Sequence, residues 1–370
     1  MADDGRMPLD PFFDERLRVH RKYMFDQALG TIRARLATLG RFWRTPTMPV
    51  PSAAASDTTT VIESAPDALG PRARARARHR RAALAWDRSE LTAIGTPGPD
   101  IRTVEHRIAV EGHPAVRVRI YYPDTTGHEP VPAALAFFGG AFRIGGIDYP
   151  TTDAANRRRA VDAHVAIAAV DYVLAPEHRY PVQIEQAYAA LEWLFRRAEE
   201  LGLDPERIGV LGTSAGGNIA AALTLVNRDR AGFPLRLQVL EVPVVDLTGS
   251  HLDLRATSAL GIPRPLAMRE LRSVARTYLS SPAHALEPYA SPLRATSHEG
   301  LPPAVILTAE YDPLRGDGDA YSYALRRAGV DASAVRYQGV THDVPVPTGV
   351  LPASRRWHDD VVAALRRLHA

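Results

Sequence analysis

From about residue 101 onwards, short apolar runs alternate with longer amphipathic segments. Residues 133–138 and 164–170 are almost continuously apolar, which is typical of strands buried on both faces of a sheet. Residues 103–110 and 116–122 alternate polar and apolar positions, which predicts strands with one solvated face. Further strands are predicted at residues 208–211, 235–242, 304–308 and 332–337, and helices at 183–200 and 354–368. This alternation of strands and helices predicts an α/β fold built on a mostly parallel, eight-stranded sheet.

The first hundred residues have a different character. Residues 8–43 carry apolar side chains at helical spacing, whereas residues 45–70 are rich in Pro, Ser, Thr and Ala and predict a loop or linker. Six arginines then fall within residues 71–86, which predicts either a patch that binds anions or nucleic acid or a solvated helix face. We favour the helix face because no aromatic residues are interleaved with the arginines. Residues 246–290 fit the strand pattern poorly and predict a helical insertion between sheet elements.

Composition narrows the possible functions. The 370 residues include no cysteine, which excludes disulfides, a thiol nucleophile and any Cys-ligated metal site. Lys and Arg number 45 against 42 Asp and Glu, so the formal charge is only +3 and gives no reason to expect nucleic acid as a partner. No apolar stretch approaches the roughly 18 residues that a membrane span needs. The polar, acidic start of the chain does not resemble a secretory signal, so we expect a cytoplasmic protein.

The most informative stretch is the one that follows the predicted strand 208–211. Residues 212–216 read Gly-Thr-Ser-Ala-Gly, and a helix of small residues is predicted directly after them. A G-x-S-x-G sequence between a strand and a helix is typical of a nucleophilic serine at the tip of a sharp turn. The helix N-terminus behind the turn places backbone N–H groups beside developing negative charge. We therefore predict that Ser214 is a nucleophile.

A serine hydroxyl needs a general base, and the base needs an orienting acid. In this kind of fold the partners follow the serine in the order acid, then histidine. Asp312 comes just after the predicted strand 304–308, and His342 comes just after the strand 332–337. We therefore predict Asp312 as the acid and His342 as the base. The competing carboxylates and histidines are Glu310, Asp317, Asp319, His164, His178 and His298.

The end of the apolar run 133–138 carries a second candidate feature. Phe138 is followed by Gly139 and Gly140, and adjacent glycines let backbone N–H groups approach a ligand without obstruction. Such a pair also occurs in ordinary tight turns between a strand and a helix. Together with Ser214, it predicts donors for the oxyanion of a tetrahedral intermediate.

These motifs together resemble the hormone-sensitive lipase-like family of α/β-hydrolases, the bacterial family IV esterases. The resemblance covers about residues 101–370 and includes D-Y-V-L-A-P-E-H at residues 171–178, S-P-L at 291–293 and D-P-L-R at 312–315. It implies a nucleophile, acid and base at Ser214, Asp312 and His342, and no metal or organic cofactor. It also implies oxyanion donors from the N–H groups of Gly139, Gly140 and Ala215.

The same resemblance implies a division of the chain. Residues 101–245 and 291–370 would form the α/β-hydrolase core, and residues 246–290 a helical cap insertion. Residues 1–100 would form an N-terminal helical arm or cap segment with a linker.

The chain departs from the family pattern near the predicted oxyanion donors. The family usually reads H-G-G-G, where this chain has Phe138-Gly139-Gly140-Ala141, so the histidine that normally braces the loop is missing. Thr213 replaces the aspartate that often precedes the serine. Arg143 lies near the predicted donors and would meet either an anionic substrate group or a surface carboxylate. The substrate-binding candidates are Phe138, Ala141, Phe142 and Arg143.

The sequence therefore predicts a serine carboxylic ester hydrolase that acts through an acyl-enzyme on a small to medium ester. The altered loop and long N-terminal extension leave open a biosynthetic acyl transferase, cyclase or lyase on the same fold. A non-catalytic binding protein is a further alternative. The expected partner is a small-molecule ester, and a homodimer is possible.

Overall fold

The structure is a computed structural model that describes residues 6–18, 70–123 and 129–370. The chain divides into two compact units, one formed by Met1–Pro8 with Arg80–Ala370 and the other by Leu9–His79. The predicted N-terminal segment 1–100 is thus shared between the two units. The predicted linker at 45–70 and most of the predicted helix at 8–43 lie outside the described residues, although residues 11–18 are helical.

Eight strands form one sheet. They are β1 Thr103–Val110, β2 His113–Tyr121, β3 Val131–Phe137, β4 Ala166–Asp171, β5 Leu203–Thr213, β6 Leu235–Glu241, β7 Ala304–Ala309 and β8 Ala332–Tyr337. Each lies where the hydrophobic pattern predicts a strand, and the predicted α/β fold with a mostly parallel sheet is confirmed. The pattern marked only the second half of β5, because residues 204–207, which follow the buried Leu203, are exposed or partly exposed.

Eight α-helices of the described residues between 71 and 366 accompany the sheet. They are α1 Pro71–Ala93, α2 Pro150–Ala163, α3 Val182–Arg196, α4 Ala215–Asp229, α5 Leu254–Ala259, α6 Arg264–Tyr278, α7 Arg315–Arg327 and α8 Pro352–Arg366. Helix α3 packs against α4, and α2 packs against α8. The segment 246–290 lies between β6 and β7 and contains α5, α6 and a short 3₁₀ helix.

The strand order is β1-β2-β4-β3-β5-β6-β7-β8. Pairs β1–β2 and β2–β4 are antiparallel, and every later pair is parallel. The carboxyl ends of β3, β5, β7 and β8 therefore meet at one edge of the sheet, where open α/β sheets bind their ligands. The predicted serine, acid, base and glycine pair all follow these four strands.

The sequence predicted that His164 begins a strand, and this prediction is wrong. His164 instead ends α2 in a left-handed conformation, with φ 55° and ψ 40°, and β4 begins at Ala166. Its N–H bonds back to the last turn of the helix, which satisfies one of the carbonyl groups left over at a helix end. Within the described residues, no helix combines the length and apolar character needed to cross a bilayer.

Candidate active site

Ser214 lies at the turn between β5 and α4, in a conformation that few non-glycine residues adopt. Its φ is 56° and its ψ is −114°, and its backbone N–H donates to the carbonyl of Glu241 on the neighbouring strand β6 at 2.8 Å. Strained backbone of this kind persists only where the surroundings hold it, and it is concentrated at functional sites. The turn lifts the hydroxyl away from the buried sheet, and Ser214 remains partly exposed.

The two glycines that flank the serine are required by close packing. A Cβ atom on Gly212 would lie 2.2 Å from the carbonyl oxygen of Gly216, and a Cβ on Gly216 would lie 2.1 Å from the oxygen of Phe137. Neither contact is possible for a real side chain. The glycines thus let α4 start immediately after the serine and pack against the end of β3.

Ser214, His342 and Asp312 form one continuous set of hydrogen bonds. His342 Nε2 lies 3.0 Å from Ser214 Oγ, and His342 Nδ1 lies 2.7 Å from Asp312 Oδ2. The second carboxylate oxygen of Asp312 accepts the N–H of Leu314 at 2.9 Å. The Asp312 side chain is 2% exposed, whereas that of His342 is 36% exposed. The acid is therefore sequestered from water, and the base faces the site from which a substrate would approach.

The charge of Asp312 controls the protonation of His342. Burial disfavours the imidazolium, but the negative charge of Asp312, its hydrogen bond and the nearby charge of Asp343 outweigh that effect. Together they raise the pKa of His342 to about 9. A neutral imidazole with its proton on Nδ1 leaves Nε2 free to accept the proton of a serine hydroxyl.

The competing groups from the sequence lie in other surroundings. Glu310 accepts the N–H of Gly339 at 2.7 Å, which ties the loop after β7 to the loop after β8. Asp317 is fully buried and accepts the N–H groups of Val245 and Asp246 at 2.9 and 3.0 Å. Burial raises the pKa of Asp317 to about 7. The remaining candidates also make structural contacts: Asp319 with Arg336, His298 with the Pro292 carbonyl, and His178 with the Leu174 carbonyl.

The glycine pair after β3 lies against the serine. A Cβ atom on Gly139 would be 3.2 Å from the Thr213 carbonyl and 3.4 Å from Ser214 Cβ. In the described part of the chain, the N–H groups of Gly139, Gly140 and Ala215 donate to no other protein group. The sheet thus brings all three predicted oxyanion donors to the same end of the molecule as the hydroxyl of Ser214.

The loop after β3 is braced without the missing histidine. The ring of Phe138 stacks on the ring of Tyr172, with centroids 4.1 Å apart and planes 7° from parallel. The Tyr172 hydroxyl donates to the Phe138 carbonyl at 2.7 Å. The loop therefore keeps a polar anchor, but the anchor comes from Tyr172 and the ring of Phe138 is used for packing.

Three of the substrate-binding candidates make contacts within the protein. Phe138 is nearly buried, and Phe142 is fully buried and stacks on Tyr278 at 3.7 Å. Both rings are thus packing residues, which corrects the expectation that they face a substrate. Arg143 pairs with Glu270 of α6 at 2.7 Å, so of its two predicted partners it meets the carboxylate. Ala141 is partly exposed beside Gly140, and its role in substrate binding stays a prediction.

Sequence reasoning missed a buried polar cluster below the serine. Glu241 is fully buried on β6, opposite Thr213 of β5 in the sheet register. Its carboxylate accepts from Thr213 Oγ1 at 2.8 Å, from Trp357 Nε1 at 2.6 Å and from Arg159 Nη2 at 2.6 Å. The signal for this cluster in the sequence was Glu241 itself, a charged residue at the end of the predicted strand 235–242. Glu241 thus holds the residue before the nucleophile through its side chain and Ser214 itself through its backbone.

The comparisons with known proteins agree with this architecture. A family model described as the alpha/beta hydrolase fold matches residues 134–346, more than half of the chain. The carboxylesterase NlhH of Mycobacterium tuberculosis is 35% identical over 291 residues, which cover 76% of this chain and 89% of that protein. The crystal structure of EstE1, a thermostable carboxylesterase cloned from a metagenomic library, is 36% identical. It superposes with a TM-score of 0.72 over 79% of this chain and 97% of EstE1. A hyperthermophilic esterase from Pyrobaculum calidifontis is 30% identical, with a TM-score of 0.75 over 98% of this chain and 99% of that structure.

Proposed function

The chain belongs to the α/β-hydrolase family, in its hormone-sensitive lipase-like esterase branch, and from that premise we propose that it hydrolyses carboxylic esters through an acyl-enzyme on Ser214. The observation that carries the proposal is the unbroken set of hydrogen bonds from Ser214 through His342 to Asp312. These bonds lie at the same end of the sheet as three backbone N–H groups that donate to no other group of the described residues, which adds support because acyl transfer needs both a nucleophile and an oxyanion site.

In the first half-reaction, Ser214 Oγ attacks the acyl carbon while His342 Nε2 accepts the hydroxyl proton. The carbonyl oxygen becomes an oxyanion and accepts from the N–H groups of Gly139, Gly140 and Ala215. Asp312 holds the proton on His342 Nδ1 and stabilises the imidazolium that forms. The imidazolium then donates its Nε2 proton to the departing alkoxide, and the acyl group stays on Ser214.

In the second half-reaction, water attacks the acyl-enzyme. His342 Nε2 takes a proton from the water, and the same three N–H groups hold the second oxyanion. Collapse of this intermediate returns the proton to Ser214 Oγ and releases a carboxylic acid. The proposed substrate is a small to medium ester. A homodimer and a cytoplasmic location remain predictions from the sequence.

The test is turnover of p-nitrophenyl esters from acetyl to dodecanoyl by the wild type, Ser214→Ala and the surface control Ser333→Ala. Ser333 is exposed on β8. We expect Ser214→Ala to lose about 10⁴-fold or more in kcat and Ser333→Ala to match the wild type. Equal turnover by Ser214→Ala and the wild type would refute the proposal. An added alcohol acceptor separates hydrolysis from acyl transfer, because a transferase would form the new ester in preference to the acid.

A further inference from the structure

One arginine, apart from the proposed catalytic residues Ser214, Asp312 and His342, makes three hydrogen bonds to segments around the predicted oxyanion donors. Arg80 is on α1, and its Nε donates to the carbonyl of Arg143 at 2.9 Å. Its Nη2 donates to the carbonyl of Ala175 at 3.0 Å and to Glu177 Oε2 at 2.7 Å. The planar guanidinium presents its donors in a fixed fork, so it holds both carbonyls in a defined geometry.

The loop that Arg80 contacts is strained. Ala141 and Phe142 have φ values of 54° and 60°, in the left-handed region that non-glycine residues seldom adopt. Residues in this conformation persist only where surrounding contacts hold them. The two residues lie between Gly140, one of the predicted donors, and Arg143, whose carbonyl Arg80 binds.

The second carbonyl bound by Arg80 belongs to a segment that is itself bonded to the loop. Ala175 donates its N–H to the carbonyl of Phe142 at 2.8 Å. Arg80 thus ties together two backbone segments that already touch, the loop directly after the strained pair and the segment around Ala175. An arginine placed here fixes the loop at Phe142 and at Arg143.

The position of Arg80 is fixed by the helix that carries it. Asp87 follows two turns later on α1, is buried, and accepts the backbone N–H of Thr151 at 2.9 Å and also its hydroxyl. Residues seven apart lie on the same face of a helix. The face of α1 that carries Arg80 is therefore anchored to the body of the protein near the start of α2.

We infer that Arg80 is a positioning residue for the oxyanion site: it holds the loop 139–145 so that the N–H groups of Gly139 and Gly140 point at the reacting carbonyl. The inference rests on the proposed function of those N–H groups. The pair of Arg80 with Glu177 leaves the side chains 29% and 37% exposed, so it adds little to stability. The two bonds from Arg80 to backbone carbonyls act on the loop itself, so we expect the main effect of Arg80 on the loop geometry that the transition state requires.

The experiment compares the wild type with Arg80→Met, Arg80→Lys and the matched control Arg81→Met in the full-length protein. Arg81 is the next residue on α1 and is exposed. We expect Arg80→Met to lower kcat about 10- to 100-fold, less than the roughly 100- to 1,000-fold loss on removal of an oxyanion donor, because the donors themselves remain. KM should change less than about threefold, because the oxyanion forms only in the transition state. The kcat of Arg80→Lys should fall between those of the wild type and Arg80→Met, and the kcat of Arg81→Met should equal that of the wild type.

A second readout is independent of activity. Amide hydrogen exchange of the peptide that covers residues 139–146 should be faster in Arg80→Met than in the wild type and Arg81→Met, with exchange elsewhere unchanged. If the wild type shows no serine-dependent turnover, the proposed function fails, and exchange still decides whether Arg80 holds the loop. Wild-type kcat in Arg80→Met, or unchanged exchange of the loop, would overturn the inference. A loss of kcat accompanied by faster exchange throughout the protein would assign Arg80 a general structural role and would also overturn it.

Discussion

Replacement of Asp312 by asparagine removes the charge that polarises His342 but keeps the size of the side chain. The bond between His342 Nδ1 and Asp312 Oδ2 is 2.7 Å long and is sheltered from water, because Asp312 is 2% exposed. An asparagine amide can donate to Nδ1, which would leave the imidazole proton on Nε2. His342 would then be unable to accept the proton of Ser214. We expect kcat to fall about 10⁴-fold, the scale of the same change in a serine protease.

The same replacement should change the pH profile in a defined direction. Burial lowers the pKa of His342, but Asp312 and Asp343 together outweigh it and raise that pKa to about 9, so the neutral base becomes available only as the pH rises through that value. The kcat/KM of the wild type should therefore rise with pH to a midpoint near this pKa. Without the charge of Asp312, burial dominates, and the midpoint in Asp312→Asn should lie at least about two units lower.

The assay is pH-stat titration of the acid released from a short-chain ester between pH 5 and pH 10. Asp343→Asn is the matched control, because Asp343 also raises the pKa of His342 but does not hydrogen-bond to it. That control should keep activity within about threefold of the wild type and should lower the midpoint by less than Asp312→Asn does. Activity of Asp312→Asn within tenfold of the wild type, or an unmoved midpoint, would refute the assignment of Asp312 as the acid.

Two buried carboxylates give predictions about stability. Arg159→Met leaves the fully buried Glu241 without its cation, so the free energy of unfolding in urea should fall by about 3 kcal/mol. The control Arg197→Met breaks an exposed pair with Glu200 and should lower the free energy of unfolding by less than about 1 kcal/mol. Equal losses in the two variants would contradict the role of burial. Burial raises the pKa of Asp317 to about 7, so its contribution to stability is present at low pH and is lost as pH rises through that value. Asp317→Asn should therefore gain about 2 kcal/mol relative to the wild type between pH 5.5 and pH 8.5, and parallel stability curves would show that this carboxyl does not titrate near neutral pH.

The hydrophobic pattern predicted the sheet because each strand buries a run of apolar residues that is local in sequence. The order of Ser214, Asp312 and His342 could be predicted for a related reason. Each residue follows a strand directly, and parallel strands bring their carboxyl ends to one edge. Local sequence was thus sufficient to predict a functional residue wherever that residue directly follows a strand.

Contacts between distant segments could not be predicted in this way. Nothing near Glu241 in the sequence points to Trp357, which is 116 positions away, or to Arg159. The direction of the Phe142 ring depends on Tyr278, which belongs to the segment between β6 and β7. Arg80 was one of six similar arginines, and only the packing of α1 distinguishes it from its neighbours.

The most direct test of Ser214 as the nucleophile is to locate the site of covalent modification by a p-nitrophenyl phosphonate ester. Such a reagent phosphonylates a serine only if the base and the oxyanion donors are in place around it. We expect intact mass spectrometry to show one adduct per chain with release of one p-nitrophenol, and peptide mapping to locate it on Ser214. Ser214→Ala should remain unmodified. A wild-type protein that stays unmodified, or an adduct on any other residue, would contradict the claim that Ser214 is the nucleophile of a serine esterase.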